Sequence, residues 1–225
     1  MLFISYSWPE QFELIISALI LLTSFMFLIQ SRINSMINTF TWQSGFLVVA
    51  TWLQALSINH LELYISASIT CLLKVVFIPY LMRYLVKKLN IRHKVATITY
   101  PFLLIIGATI LVLFCYHLMV PIHEFSWLTI SNSIAVAMSV TLLGMLLLIT
   151  HRKAISHVIG FMSMENGIFF AALVSAHGMP MIVELGIAFD ILVAVILFGV
   201  FFFHLRSSID TLDVDRLNLL REDVE

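Results

Sequence analysis

Lys74 in TCLLKVVFIPYLM, Glu165 in FMSMENGIFF, and Glu184 and Asp190 in VELGIAFDILVAVI are ionisable side chains set inside long apolar runs. On insertion scales a charge at the centre of a membrane-spanning helix costs about 2.5–3.5 kcal/mol, so a chain selected only for anchoring would not carry all of them. The chemistry that suits such residues is a proton relay. A carboxyl in a low-dielectric setting titrates nearer neutrality than in water, and a neighbouring ammonium opposes that shift, so one site can bias the next. The structural alternative is an ion pair between Lys74 and a carboxylate, or a Glu165 hydrogen bond across helices that holds a bundle or a partner subunit.

Local spacing fits the relay without requiring it. Ser66, Thr70 and Lys74 recur at every fourth residue and so share one slanted helix face. Pro79 cannot donate to the Val75 carbonyl that an α-helix would offer it, which predicts a kink beside Lys74. A membrane-helix proline that is simply tolerated is the plainer reading. Asp190 and His204 are close to four turns apart and share a face, with His204 at the basic end, and His157 opens its helix two turns before Glu165. Histidines can hand protons on near neutral pH, although at helix ends they often serve only as amphipathic boundary residues.

The elements that must position these residues follow from composition. Of 225 residues, 61% are hydrophobic and only 11% charged, the signature of an integral membrane protein. Crossing about 30 Å of hydrocarbon takes about 20 apolar residues, and such runs recur at about 10–30, 36–58, 61–84, 97–119, 126–149, 154–176 and 181–204. Without the alternation of a porin strand, they must be helices, because backbone polar groups in lipid have to be satisfied within the segment. The expected fold is therefore all-α, with about seven transmembrane helices. The opening MLFISYSWPEQFEL lacks a basic leader and a small-residue cleavage site, and is expected to lead directly into the first helix.

Charge distribution gives an orientation. Arg32 follows the first run; Arg83, Lys87, Lys88, Arg92 and Lys94 follow the third; Arg152 and Lys153 follow the fifth; Arg206, Arg216 and Arg221 follow the seventh. The other three links carry no Lys or Arg, so the positive-inside rule places the N-terminus outside and the C-terminus in the cytoplasm. The acidic tail after the last run reads as a solvated end or a docking segment for a cytoplasmic subunit.

Cofactor chemistry finds little footing. Cys71 and Cys115 are isolated in apolar runs and read as packing residues rather than iron–sulfur or zinc ligands. The eight histidines show no HExxH spacing and cluster near helix ends, which argues against haem, and no glycine-rich phosphate loop is present. No cofactor, metal or catalytic centre is expected, and the net charge of −1 gives no reason to bind nucleic acid.

The blocks TCLLKVVFIPYLMRYL (70–85), IGFMSMENG (159–167), VELGIAFDILVAVI (183–196) and TLDVDRLN (211–218) resemble the hydrogenase-4 component E family, small membrane subunits of formate hydrogenlyase-type complexes. The resemblance runs over most of the chain and is densest from about residue 60. The last three runs are also similar to subunit K, the 4L-type chain, of respiratory complex I and its relatives in cation/proton antiporters. In that family the second helix carries a carboxylate at the position of Met162, one turn before Glu165, and the third carries one that Asp190 matches better than Glu184.

These resemblances imply residues 1–125 as a four-helix membrane region, 126–205 as a three-helix region similar to subunit K, and 206–225 as a cytoplasmic tail. They also imply a subunit of the cell's inner membrane with no redox centre of its own. It would sit among antiporter-like and quinone-module-like subunits, with Glu165, Asp190, Glu184 and Lys74 contributing to proton translocation and His157 and His204 secondary. The alternatives are a scaffold in such a complex, or a subunit of a multisubunit cation/proton antiporter.

Overall fold

The computed structural model describes residues 8–58, 61–88, 101–120, 128–151 and 153–175, and within the last apolar run residues 186, 190–193, 195, 196 and 199. These residues are overwhelmingly helical. In chain order the helices are α1 (Trp8–Ile29), α2 (Ile33–Ile58), α3 (Leu61–Thr70), a π-helical stretch Cys71–Phe77, α4 (Ile78–Lys88), α5 (Pro101–Met119), α6 (Leu128–Thr150) and α7 (Ala154–Ser175). The described residues from 186 to 199 are helical as well. Glu184 and His204 lie outside the described residues.

Five helical stretches are long and apolar enough to cross a membrane: Gln11–Ile29, Leu63–Lys88, Phe102–Met119, Ile130–Thr150 and Ile155–Ser175. The protein is thus a multi-pass membrane protein. The helix α2 is 26 residues long and uncharged, but it carries Thr39, Gln43, Ser44 and Thr51, all buried. Hydroxyls elsewhere along the helices close on their own backbone, as with Thr51 on Leu47, Ser139 on Ala135 and Thr141 on Ala137, which keeps them satisfied without water.

The third apolar run carries the proline at which a kink is expected. It is continuous helix from Leu61 to Lys88, and the adjustment around Pro79 is a widening of the helix. The Ile78 N–H bonds the Leu73 carbonyl, five residues back. In that register the next position would serve the carbonyl of Lys74 rather than that of Val75, and Pro79 has no N–H to give. The lost donor therefore falls on the carbonyl of the buried lysine, within the π-helical stretch Cys71–Phe77.

The tightest packing joins α6 to α7. A Cβ on Gly144 would stand 2.7 Å from the Met164 nitrogen and 2.9 Å from the Gly160 carbonyl oxygen; one on Gly167 would stand 2.8 Å from the Thr141 nitrogen and 2.9 Å from the Ala137 oxygen. Backbone meets backbone at both ends of this contact, which only glycine permits. The connection between the two helices is short. There His151 is buried against Thr150, and desolvation pushes its imidazole below the usual histidine range.

Two apolar clusters fill the bundle, one towards each end. Phe27, Phe40, Ile78, Leu147, Ile159 and Met162 belong to the first. Ile16, Leu47, Leu63, Val140, Phe170 and Leu173 belong to the second. Read along each helix, a polar residue separates the two: Ser24 in α1, Gln43 and Ser44 in α2, Lys74 in the π-helical stretch, and Glu165 and Asn166 in α7. Polar side chains of these four elements thus lie between the two apolar clusters.

Candidate functional site

Lys74 is the centre of these polar residues. Five residues before Pro79, inside the widened turn, it has only 1% of its surface exposed. Its Nζ donates to Glu165 Oε1 at 2.7 Å and to Asn166 Oδ1 at 3.1 Å, and lies 3.5 Å from Asp190 Oδ1. The Phe169 ring centroid is 5.8 Å from the same nitrogen, within cation–π reach. The last contact of the ion cluster is the looser one: at 3.5 Å Asp190 attracts the ammonium electrostatically without a hydrogen bond.

Each partner is brought in by its own element. Glu165 and Asn166 are successive residues of α7, held in depth by the backbone contacts at Gly160 and Gly167 on either side. Asp190 comes from the last apolar run. Gly186, one turn earlier, lies against α7: a Cβ there would stand 3.1 Å from the Phe169 ring and 3.9 Å from Glu165 Oε1. The absence of a side chain at that position lets the acidic element approach the lysine.

The charges do not balance within the cluster. Two carboxylates face one ammonium, so the site is neutral with one carboxyl proton and carries a net negative charge without it. Glu165, Asp190 and Lys74 are 6%, 2% and 1% exposed, so either state is a buried one. Glu165 Oε2 and Asp190 Oδ1 have no hydrogen-bond partner among the described residues, leaving acceptor capacity on both carboxyls. What the arrangement can do chemically is hold or release one proton beside a cation, shielded from water.

On the opposite side of Asn166 the polar contacts continue through uncharged groups. Asn166 Nδ2 donates to Gln43 Oε1 and Ser44 Oγ, both at 3.3 Å; Gln43 Nε2 donates to Ser24 Oγ at 2.8 Å; Ser24 Oγ donates to the Ile20 carbonyl at 3.1 Å. These residues are fully or almost fully buried.

Of the residues singled out from the sequence, the structure brings Lys74, Glu165 and Asp190 together. His157 is exposed at the start of α7, with its Nδ1 2.9 Å from the Lys153 carbonyl oxygen, and makes no contact with the cluster. Ser66 and Thr70 share the buried side of α3 with Lys74, but Ser66 Oγ has no hydrogen-bond partner among the described residues. Sequence reasoning missed Gln43, Ser44 and Ser24. The available signal was an amide and a hydroxyl adjacent in the middle of the uncharged α2. It also missed Glu13 of α1, whose Oε1 accepts from Ser133 of α6 at 3.0 Å near the other end of the bundle.

No family model matches the chain, and no solved structure matches it. A stretch of 91 residues is 37% identical to an uncharacterised protein of Mycobacterium tuberculosis, covering 40% of this chain and 41% of that protein's length. Over 162 residues the chain is 28% identical to hydrogenase-4 component E of Escherichia coli, covering 71% of this chain and 74% of that protein, and the Shigella flexneri protein of the same name matches equally. On this shared sequence, the chain is a homologue of hydrogenase-4 component E.

Proposed function

We propose that this chain is a non-redox membrane subunit of a membrane-bound hydrogenase complex, and that Lys74, Glu165 and Asp190 take part in proton translocation coupled to electron transfer. The observation that carries the reading is that two carboxyls from separate elements share one buried ammonium at membrane depth. A purely structural pair needs one carboxylate; the second makes the net charge of the site depend on a single proton. Binding or losing that proton changes the electrostatics of α7 and of the last apolar run at once. Moving one charge across about 100 mV takes about 2.3 kcal/mol, which is about 1.7 pKa units at about 1.36 kcal/mol each.

The apolar clusters on both sides of the polar residues belong to this reading. A site that exchanges protons with both faces of a membrane must not be connected to both simultaneously, and the apolar residues on either side of the cluster fit that condition. Access then requires a rearrangement or a neighbouring subunit. Glu184, which precedes Asp190 in the sequence, is the candidate for an entrance to it, with His157 and His204 secondary.

The same reading takes the chain as seven spans of the inner membrane, N-terminus outside and C-terminus cytoplasmic, with the uncharged α2 as one span and 181–204 as the last. Residues 1–125 form its four-helix part, 126–205 the part similar to complex I subunit K, and 206–225 the tail. Antiporter-like and quinone-module-like subunits are its neighbours. Glu165→Gln in the intact complex, with subunit content matched to wild type, tests the role of the cluster. Donor-driven proton uptake into sealed vesicles is expected to fall about a hundredfold, the low end of what a positioned general acid or base contributes, while electron transfer persists. Unchanged uptake would assign Glu165 a structural role and favour a scaffold.

A further inference from the structure

The span Leu63–Lys88 ends on a helix with two unlike sides. In α4, Ile78, Pro79, Leu81, Met82, Leu85 and Val86 are buried against the bundle. Tyr80, Arg83, Tyr84, Lys87 and Lys88 are exposed, and at spacings of three and four residues they share the other face. The Arg83 guanidinium is directed by α2: its Nη2 donates to Asn38 Oδ1 at 2.8 Å. That bond ties the cation to the seam between α2 and α4, and a guanidinium has five N–H donors to share. Tyrosines beside basic residues at the end of a span are the composition of a membrane–water boundary.

Deeper in the same seam lies an apolar groove of about 510 Å³, with Val48, Val49 and Trp52 of α2 on one wall and Ser68, Leu72 and Val76 on the other. Asn38, Gly45 and Trp52 are spaced by seven, close to two turns, so one face of α2 runs from the Arg83 contact down to the groove. Midway along that face a Cβ on Gly45 would have no neighbour within 4 Å, so the seam is open there. On the other wall, at about 1.5 Å per residue, Val76 stands about 10 Å and Leu72 about 16 Å from Arg83. One leaflet contributes about 15 Å of a hydrocarbon core about 30 Å thick. The groove therefore falls where the far end of an acyl chain lies when its headgroup is level with Arg83.

We infer that this seam is a binding site for one anionic phospholipid, with its phosphate on Arg83 and Lys87 and an acyl chain in the groove beside Trp52. Charge selects this occupant. The helix α2 is uncharged and no Asp or Glu occurs between Leu63 and Lys88, so the mouth of the seam is positive and its own walls do not neutralise it. Arginine presents paired donors that match phosphate oxygens, and Lys87, one turn on, adds a second cation. A helix of another subunit would have to bring a carboxylate to that level to do the same. A phospholipid supplies the anion and the hydrocarbon in one molecule. Leu72 and Val76 belong to the π-helical stretch that carries Lys74, so the acyl chain packs on the outer side of the turn that holds the lysine. Such a site stands whether or not the ion cluster moves protons.

The test uses the full chain with Trp8, Trp42 and Trp127 replaced by Phe, which leaves Trp52 as its sole tryptophan. It is reconstituted in phosphatidylcholine vesicles containing a small fraction of phosphatidylglycerol with brominated acyl chains, which quench tryptophan on contact. Brominated phosphatidylglycerol is expected to quench Trp52 at mole fractions at least about fivefold lower than brominated phosphatidylcholine, the factor one basic residue contributes beside an anionic lipid. Arg83→Gln combined with Lys87→Gln, both at exposed positions, is expected to abolish the preference. Raising salt to about 1 M, where the Debye length is about 3 Å, is expected to weaken it. Gly45→Leu, which fills the open stretch of the seam, is expected to reduce quenching by the brominated phosphatidylglycerol.

Equal quenching by the two lipids would overturn the proposal, as would a preference that survives the double substitution. In the purified intact complex, mass spectrometry of retained lipid is expected to find more phosphatidylglycerol with the wild-type chain than with Arg83→Gln and Lys87→Gln together. Equal retention would mean that a neighbouring subunit fills the seam, and would overturn the proposal as well.

Discussion

Lys74 and Glu165 are unequal partners although they share a 2.7 Å contact. Removing Glu165 by Glu165→Gln leaves Lys74 beside Asp190, one charge of each sign, with the amide still able to accept from the ammonium. Removing the cation by Lys74→Met leaves two buried carboxylates and no counter-charge. Breaking a buried pair from one side costs about 3–5 kcal/mol because the remaining ion stays desolvated. Lys74→Met is accordingly expected to destabilise the protein by about that amount, and Glu165→Gln by well under half of it. Adding Glu165→Gln to Lys74→Met should recover part of the loss. Chemical denaturation of the purified variants in one detergent checks the order; a Glu165→Gln variant as unstable as Lys74→Met would mean that Glu165 contributes more by fixing α7 than by balancing charge.

At the scale of elements, the position of Glu165 depends on how closely α7 approaches α6. A methyl group on Gly167 would stand 2.8–2.9 Å from backbone atoms of α6, which cannot swing aside as a side chain can. Alanine gains about 1 kcal/mol over glycine in a helix interior, whereas overpacking costs about 1–3 kcal/mol and requires the helices to separate. Separation wins in that comparison. Gly167→Ala is expected to lower the unfolding midpoint and, by shifting α7, to lengthen the Glu165–Lys74 contact, so that coupled proton uptake declines with it. Gly107→Ala in α5, where nothing lies within 4 Å of the added carbon, is the control and is expected to be neutral or slightly stabilising.

The π-helical stretch belongs to the same scale. Its register was not legible from residue spacing. Pro79 signals a missing donor wherever it stands, but whether the helix kinks or widens depends on what its neighbours require. Here Lys74, inside the wide turn, meets Glu165 of α7 and Asp190 of the last run.

For the whole molecule, the proposed orientation is what a labelling experiment tests. If the basic links face the cytoplasm, a cysteine introduced at Lys153 should react with a membrane-impermeant maleimide only after cells are opened, and one at Asn59 should react in intact cells. The background to control for is Cys71, half-buried, while Cys115 is buried. Labelling in the reverse order would invert the topology and exchange the sides from which protons reach the cluster.

What the sequence determined by itself is the solvent and the cast of charged residues. Composition and run length made this a helical membrane protein, because hydrocarbon leaves the backbone no alternative. The cost of a charge in lipid marked Lys74, Glu165 and Asp190 before any contact was known. Only the tertiary structure decided that these three meet, that Asn166 turns its oxygen to the lysine, and that Gln43 and Ser24 complete the line across the bundle. The physical reason is a difference in cost: a charge in an apolar run is too expensive to be incidental, whereas a hydroxyl or amide can often be satisfied by nearby backbone or another helix. Its partner, and hence its part in the site, exists only once the helices have packed.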